Sequence, residues 1–242
     1  MPPLSAAAGA GPGVTVGSYG LILDLDGTLI DSYRAIAESL NHARAHYGLE
    51  PLDLPTVRAG VGHGLEQLIG RWVGADRIGD GVRLFRERYA QVFAEATEPL
   101  PGVEAALGAL ARAGYVMALA SNKPARFSRA ILRQLDWAPL FVSVEGPDTA
   151  GTTKPDPAML RACLTALGTA ADHTLYVGDM PLDAVSGSRV GLEVVLVCGG
   201  SSGEADLRAA GPPVLAGFAA LPGFLSDLGW PAPPASEPRD SS

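Results

Sequence analysis

Five short β-prone runs recur along the chain: LILDLD at 21–26, VMALAS at 116–121, FVSVEG at 141–146, TLYVGD at 174–179 and EVVLVC at 193–198. Helical patterning separates most of them. Val103, Leu107 and Leu110 mark one apolar face closed by Gly114, and Phe127, Ile131 and Leu135 mark a second. Asp156-Pro157 opens a third helix that Gly168 closes, with acid, proline and glycine in their preferred terminal positions. Strands that alternate with helices are joined by crossovers, and runs apolar on both sides must be covered on both sides. The chain is therefore expected to be an α/β protein with a mostly parallel sheet and helices on both faces.

One gap breaks this alternation. Between Asp31 and Leu100 no convincing strand is found, only helical patterns at about 32–47, 55–72 and 80–96, the last with Val82, Phe85 and Tyr89 on one side. The expected organisation is a core over 19–31 and 99–229, interrupted by an α-helical insert over 32–98 that ends in the TEPLP linker at 97–101. The Gly/Pro-rich segment 1–18 and the segment 230–242 are expected to be flexible tails.

Composition narrows the partners. The 242 residues carry 26 acids against 18 bases, a formal net charge of -8, which repels a phosphate backbone, so nucleic-acid binding is not expected. The first 33 residues hold no Lys or Arg, and no apolar run approaches the ~18 residues of a spanning helix, so neither signal peptide nor membrane anchor is expected. The default address is the cytoplasm. Cys163 and Cys198 are unclustered and read as small core residues.

Open α/β sheets bind ligands at the carboxyl ends of their strands. Those ends carry Asp24 and Asp26, then Ser121 and Asn122, then Asp179, with Lys154 on the loop after FVSVEG. Asp24 and Asp26 are two apart, so in an extended segment both side chains leave on one side. Adjacent carboxylates repel, and a hard divalent cation with oxygen ligands, Mg²⁺, relieves that repulsion and is completed by Asp179. Mg²⁺ is readily shared with a substrate phosphate, which points to phosphoryl chemistry. Asp24 is then suited to attack phosphorus, Asp26 to exchange protons with leaving group and water, and Ser121, Asn122 and Lys154 to hold the phosphoryl oxygens. The chain has only two lysines, Lys123 and Lys154, among 18 basic residues. A lysine in an arginine-rich chain suggests that a compact point charge is required. The inference is stronger for Lys154; for Lys123 a solvated side chain is the competing reading.

DLDGTLIDS at 24–32, SNKP at 121–124, TKPDP at 153–157 and GDMPLD at 178–183 resemble, in order, the four motifs of the haloacid dehalogenase-like hydrolases. The resemblance covers about residues 20–220. It implies a Rossmann-like core, Asp24 as nucleophile, Asp26 as acid/base, Ser121 and Lys154 on phosphate, and Mg²⁺ held by Asp24, the Asp26 carbonyl and Asp179. Asp183 matches the last acid of the fourth motif and is expected to support the metal from behind its ligands, with a helix N-cap as its rival role. Dehalogenase members lack an acid at the Asp26 position, so its presence favours phosphate ester hydrolysis. The insert, including VRAGVGHGLEQLI at 57–69, resembles the helical cap of the phosphoglycolate phosphatase-like branch. His63, between Gly62 and Gly64, is the cap's candidate substrate contact, whereas His42 and His46 read as a solvated helix face. Met180 and Pro181 depart from the small polar residues expected after Asp179.

The expected activity is thus a Mg²⁺-dependent phosphatase of a small organic phosphate, 2-phosphoglycolate foremost. A phosphomutase or a pyrophosphatase on the same scaffold is the alternative. A phospho-accepting signalling domain is disfavoured, because nucleophile and acid share the first strand and a signalling module has no need of a lid. Substrate identity and oligomeric state stay open.

Overall fold

The structure is a computed structural model that describes residues 19–231. The segment 1–18 and residues 232–242 of the expected tails lie outside the described residues.

Strands β1 (Gly20–Leu23), β4 (Val116–Ala120), β5 (Phe141–Glu145), β6 (Thr174–Gly178), β7 (Glu193–Val197) and β8 (Val214–Leu215) form one six-stranded sheet in the order β5-β4-β1-β6-β7-β8. Every pairing in it is parallel. A two-stranded antiparallel ribbon joins β2 (Ile30–Asp31) to β3 (Glu98–Pro99). Numbered within the sheet alone, the strands run 3-2-1-4-5-6, the doubly wound order of Rossmann-like folds.

The alternation of side chains along β1 divides the core. Leu21 and Leu23 face one side with α5 (Val103–Arg112), α6 (Ala125–Gln134) and α11 (Leu221–Asp227). Ile22 faces the other, with α8 (Ala158–Leu167), α9 (Pro181–Ser188) and α10 (Glu204–Ala210). A single turn of helix, α7 (Pro147–Ala150), follows β5. The insert has a separate core, in which Ile36 and Leu40 of α1 (Tyr33–His46), Val57 of α2 (Leu54–Arg58), Ile69 of α3 (Leu65–Trp72) and Phe85 and Tyr89 of α4 (Ile78–Val92) pack together. Burying a side chain of this size is worth roughly 1.5–3 kcal/mol, so the insert has its own apolar reason to hold its shape.

Several expectations change. The predicted helix 55–72 is broken into α2 and α3, because Gly62 and Gly64 between them adopt φ of 127° and 97°, where a helix cannot continue. The linker after the insert contributes β3, and β8 extends the sheet beyond the five recognised runs. Each of these is two residues long, too short to show a period. Trp230, assigned to the C-terminal tail, is 5% exposed with its ring 4.7 Å from that of Tyr19, and Tyr115 Oη donates to the Pro231 carbonyl at 3.0 Å. Ordered packing therefore runs past residue 229. His42 and His46 are exposed, and Cys163 is buried among the residues beneath α8. No described helix is long and apolar enough to cross a membrane.

Candidate active site

The connections from β1 and β6 depart to opposite sides of the sheet, which opens a crevice beyond their carboxyl ends. Asp24 and Asp26 follow β1, Ser121 follows β4 and Asp179 follows β6, so the doubly wound order brings them to one place. Asp24, Asp26, Ser121, Asn122 and Lys154 line a single cleft there, closed from above by Ile36, Leu65, Leu68, Phe85 and Tyr89 of the insert.

The turn after β1 shapes the floor. The Leu25 carbonyl accepts from the amides of Thr28, Leu29 and Ile30, and Gly27 sits at φ 81°. A Cβ on Gly27 would lie 2.5 Å from both Asp179 Oδ2 and Tyr33 Oη, and one on Gly200 would lie 1.7 Å from Asp179 Oδ2. Glycine is required at both places for close approach, and at Gly27 also for backbone conformation.

Asp24, Asp179 and Asp183 are buried and offer oxygens within 4.8 Å of one another. Asp179 accepts from Thr28 Oγ1 at 3.2 Å and from the Ser201 amide at 3.0 Å. Both Asp183 oxygens are taken, one by Lys154 Nζ at 2.9 Å and Tyr176 Oη at 2.6 Å, the other by the Met180 amide at 3.0 Å. Asp183 lies in the first turn of α9 and reaches back to the amide of its N-cap, Met180, so it serves the helix terminus without being the cap itself. Lys154 Nζ also pairs with Asp24 Oδ2 at 2.9 Å, while Asp24 Oδ1 is buried without a hydrogen-bond partner.

Burial pushes the Asp24 carboxyl up to about 6, the Lys154 charge opposing the rise and the Asp183 charge adding to it. Asp179 is raised well above the usual carboxylate range, by burial first and by Asp24 and Asp183 next. Burial alone would lower the Lys154 ammonium, but Asp183 and Asp24 outweigh it and hold the group above its ordinary value. Three clustered buried carboxylates, only two of them paired with the Lys154 ammonium, and an Asp24 oxygen without a partner fit a hard divalent cation.

That charge imbalance has a measurable consequence. With Asp24 and Asp179 raised, their contribution to stability in the metal-free protein is complete below the unfolded carboxyl value and is lost as pH rises through the folded values, about 6 for Asp24. Thermal unfolding with a chelator is expected to show this contribution fading between about pH 5 and about pH 7.5. Excess Mg²⁺ should raise the midpoint more at the higher pH, and an equal increment at both would argue against a cation among these acids.

Asp26 has its own counter-charge. Lys123 Nζ lies 2.8 Å from each of its carboxylate oxygens, and Ser32 Oγ donates to one of them. Lys123 is 9% exposed, over the Tyr89 ring at 5.0 Å, so the solvated reading of this lysine is corrected. Its scarcity in an arginine-rich chain was the available signal, and it applied to both lysines.

Two other expectations shift. Asn122 Nδ2 donates to the Gly62 carbonyl at 2.8 Å, and Asn122 Oδ1 accepts from the Lys154 amide at 2.7 Å. Its amide therefore clamps the Lys154 loop to the insert while Asn122 still lines the cleft. His63 is exposed and does not line the cleft, although Gly62 and Gly64 do. A Cβ on Gly62 would lie 2.0 Å from Met180 Sδ, so the unexpected methionine packs against the insert's glycine loop. Arg58 of α2 adds a second clamp, donating to the carbonyls of Gly200, at 3.0 Å, and Gly199.

Comparison with known proteins agrees with this geometry. The sequence profile of the haloacid dehalogenase-like hydrolases matches residues 21–197. A phosphoglycolate phosphatase of Rhodospirillum rubrum is 37% identical over 88% of this chain and 92% of its own. One from Yersinia pseudotuberculosis is 34% identical over 88% and 94%. The crystal structure of a predicted phosphoglycolate phosphatase from Haemophilus somnus superposes with a TM-score of 0.76 at 25% identity, covering 88% of this chain and 99% of that one. With doubly wound sheet, helical insert and four ordered motifs in place, the chain belongs to the haloacid dehalogenase-like hydrolase family.

Proposed function

We propose that the protein is a Mg²⁺-dependent phosphatase that hydrolyses a small phosphate monoester, 2-phosphoglycolate foremost, through an aspartyl-phosphate on Asp24. The observation that carries this reading is the Asp24 carboxylate, clustered with Asp179 and Asp183, with one oxygen held by Lys154 and the other buried and unpartnered. A partnerless oxygen at the focus of the cleft is a nucleophile that gives up no hydrogen bond when it attacks. The names of the R. rubrum and Y. pseudotuberculosis relatives support the substrate.

Asp24 attacks phosphorus, the bond from phosphorus to the ester oxygen breaks with its electron pair on oxygen, and Asp26 supplies the proton that leaves with the alcohol. Asp26 then accepts a proton from water as that water attacks phosphorus. The bond to Asp24 breaks, and inorganic phosphate departs. Lys154 and Ser121 face the oxygens over which charge spreads. Asp24, the Asp26 carbonyl and Asp179 would hold Mg²⁺, which when bound supplies positive charge beside the phosphoryl group. Asp183 does not need to touch the metal, since its oxygens hold Lys154, Tyr176 and the Met180 amide. The apolar side chains of the insert exclude water, which strengthens each of these interactions.

The test is phosphate release from 2-phosphoglycolate, pyrophosphate, sugar phosphates and nucleotides. Fastest release from 2-phosphoglycolate, silenced by chelation and restored by Mg²⁺, is the expected result. Conversion of a sugar phosphate to its isomer with little free phosphate would instead make the protein a mutase, and preference for pyrophosphate would replace the ester substrate.

A further inference from the structure

The geometry points to Arg86 as the group that recognises a carboxylate at the far end of the substrate, which makes the preferred substrates short phosphate esters of hydroxy acids. This rests on the phosphatase reading above and adds the selecting residue. Arg86 lies on α4 at the solvent-exposed rim of the cleft that Asp24 and Ser121 also line. It stands one turn before Tyr89, whose ring lies 5.0 Å from Lys123 Nζ, and residues three apart share a helix face.

Charge accounting singles this residue out. The other two cations of the cleft are committed, Lys123 to Asp26 and Lys154 to Asp24 and Asp183. Two other arginines of α4 are also neutralised, Arg83 by Asp80 and Glu87, and Arg88 by Glu38. Among the described residues Arg86 has neither a hydrogen-bond nor an ion-pair partner. On the cap side of the cleft Ile36, Leu65, Leu68 and Phe85 offer no side-chain hydrogen bond, and the only polar side-chain groups beside Arg86 are the partnerless hydroxyls of Tyr33 and Tyr89, which carry no charge. The tyrosine hydroxyls offer a neutral polar substrate end a hydrogen bond but leave an anionic end without a counter-charge unless Arg86 supplies it. A carboxylate would meet a guanidinium fork able to bind both its oxygens while the phosphate occupies the opposite end. The cavity, about 80 Å³, suits a short organic group.

The test compares kcat/KM for 2-phosphoglycolate with that for 2-hydroxyethyl phosphate, which exchanges the carboxylate for an uncharged hydroxymethyl group. The wild type is expected to prefer the acid. Arg86→Met should reduce that preference by about 30-fold, the worth of a charged hydrogen bond, and Arg86→Lys should restore part of it. Calorimetry with 3-phosphonopropionate against propylphosphonate reads the same ratio as binding, without turnover. An unchanged ratio in Arg86→Met, an equal loss on both substrates, or a wild type without preference for the acid would each overturn the role of Arg86 while leaving the phosphatase intact. A wild type that hydrolyses neither ester overturns both.

Discussion

Asp24→Asn is expected to abolish phosphate release, by at least about 10³-fold, with the thermal midpoint little changed. The amide is nearly the same size as the carboxylate and keeps an oxygen that can accept from Lys154 at the present 2.9 Å. What it loses is the anionic oxygen proposed as the nucleophile. Stability should be spared because the buried Asp24 carboxylate is held in place at a cost, which its raised value of about 6 expresses. In metal-free protein at neutral pH the variant is expected to unfold no earlier than the wild type. A chemical trap gives the second readout: brief incubation with ³²P-labelled substrate and acid quenching should leave label on the wild type and none on the variant. A variant that retains most turnover would falsify the covalent route.

Lys154→Met should cost both stability and activity. Lys154 is 4% exposed and joins Asp24, Asp183 and Tyr176 through one ammonium. Removing one partner of a buried ionic cluster leaves the others uncompensated, at roughly 3–5 kcal/mol. Denaturant unfolding without metal should register a loss of that order, and excess Mg²⁺ should recover part of it. Activity should drop by at least about 100-fold, because the charge proposed to hold the phosphoryl oxygens is gone. The double variant Lys154→Met/Asp183→Asn separates the two effects. It is expected to regain stability, since one stranded carboxylate is removed, without regaining turnover. If stability and activity return together, Lys154 acts only as a structural counter-ion.

Much of the architecture was legible beforehand because it depends on local pattern. Alternating apolar runs and helices imply a covered parallel sheet, and the period of two along LILDLD directs Asp24 and Asp26 to the same cleft. The elements missed, β3 and β8, contain two residues each. The proline- and serine-rich segment after Trp230 predicts a tail from residue 230, whereas the Trp230 indole is held by Tyr19 and Tyr115, far away in sequence.

At the site, residue types were legible and pairings were not. The sequence alone determined that acids and a serine end separate strands and that the lysines lie on the loops beyond them, since strand ends are set by backbone periodicity and the residues that follow. Only the tertiary structure decided that Lys123 neutralises Asp26 while Lys154 serves Asp24 and Asp183, that Asn122 clamps the insert to the core, and that Arg86 rather than His63 lines the cleft. Each of those outcomes is a distance between groups separated by tens of residues, and hydrogen bonds and ion pairs act over about 3 Å. A pattern along the chain carries direction and burial, but the packing of the helical insert against the sheet sets which charges meet.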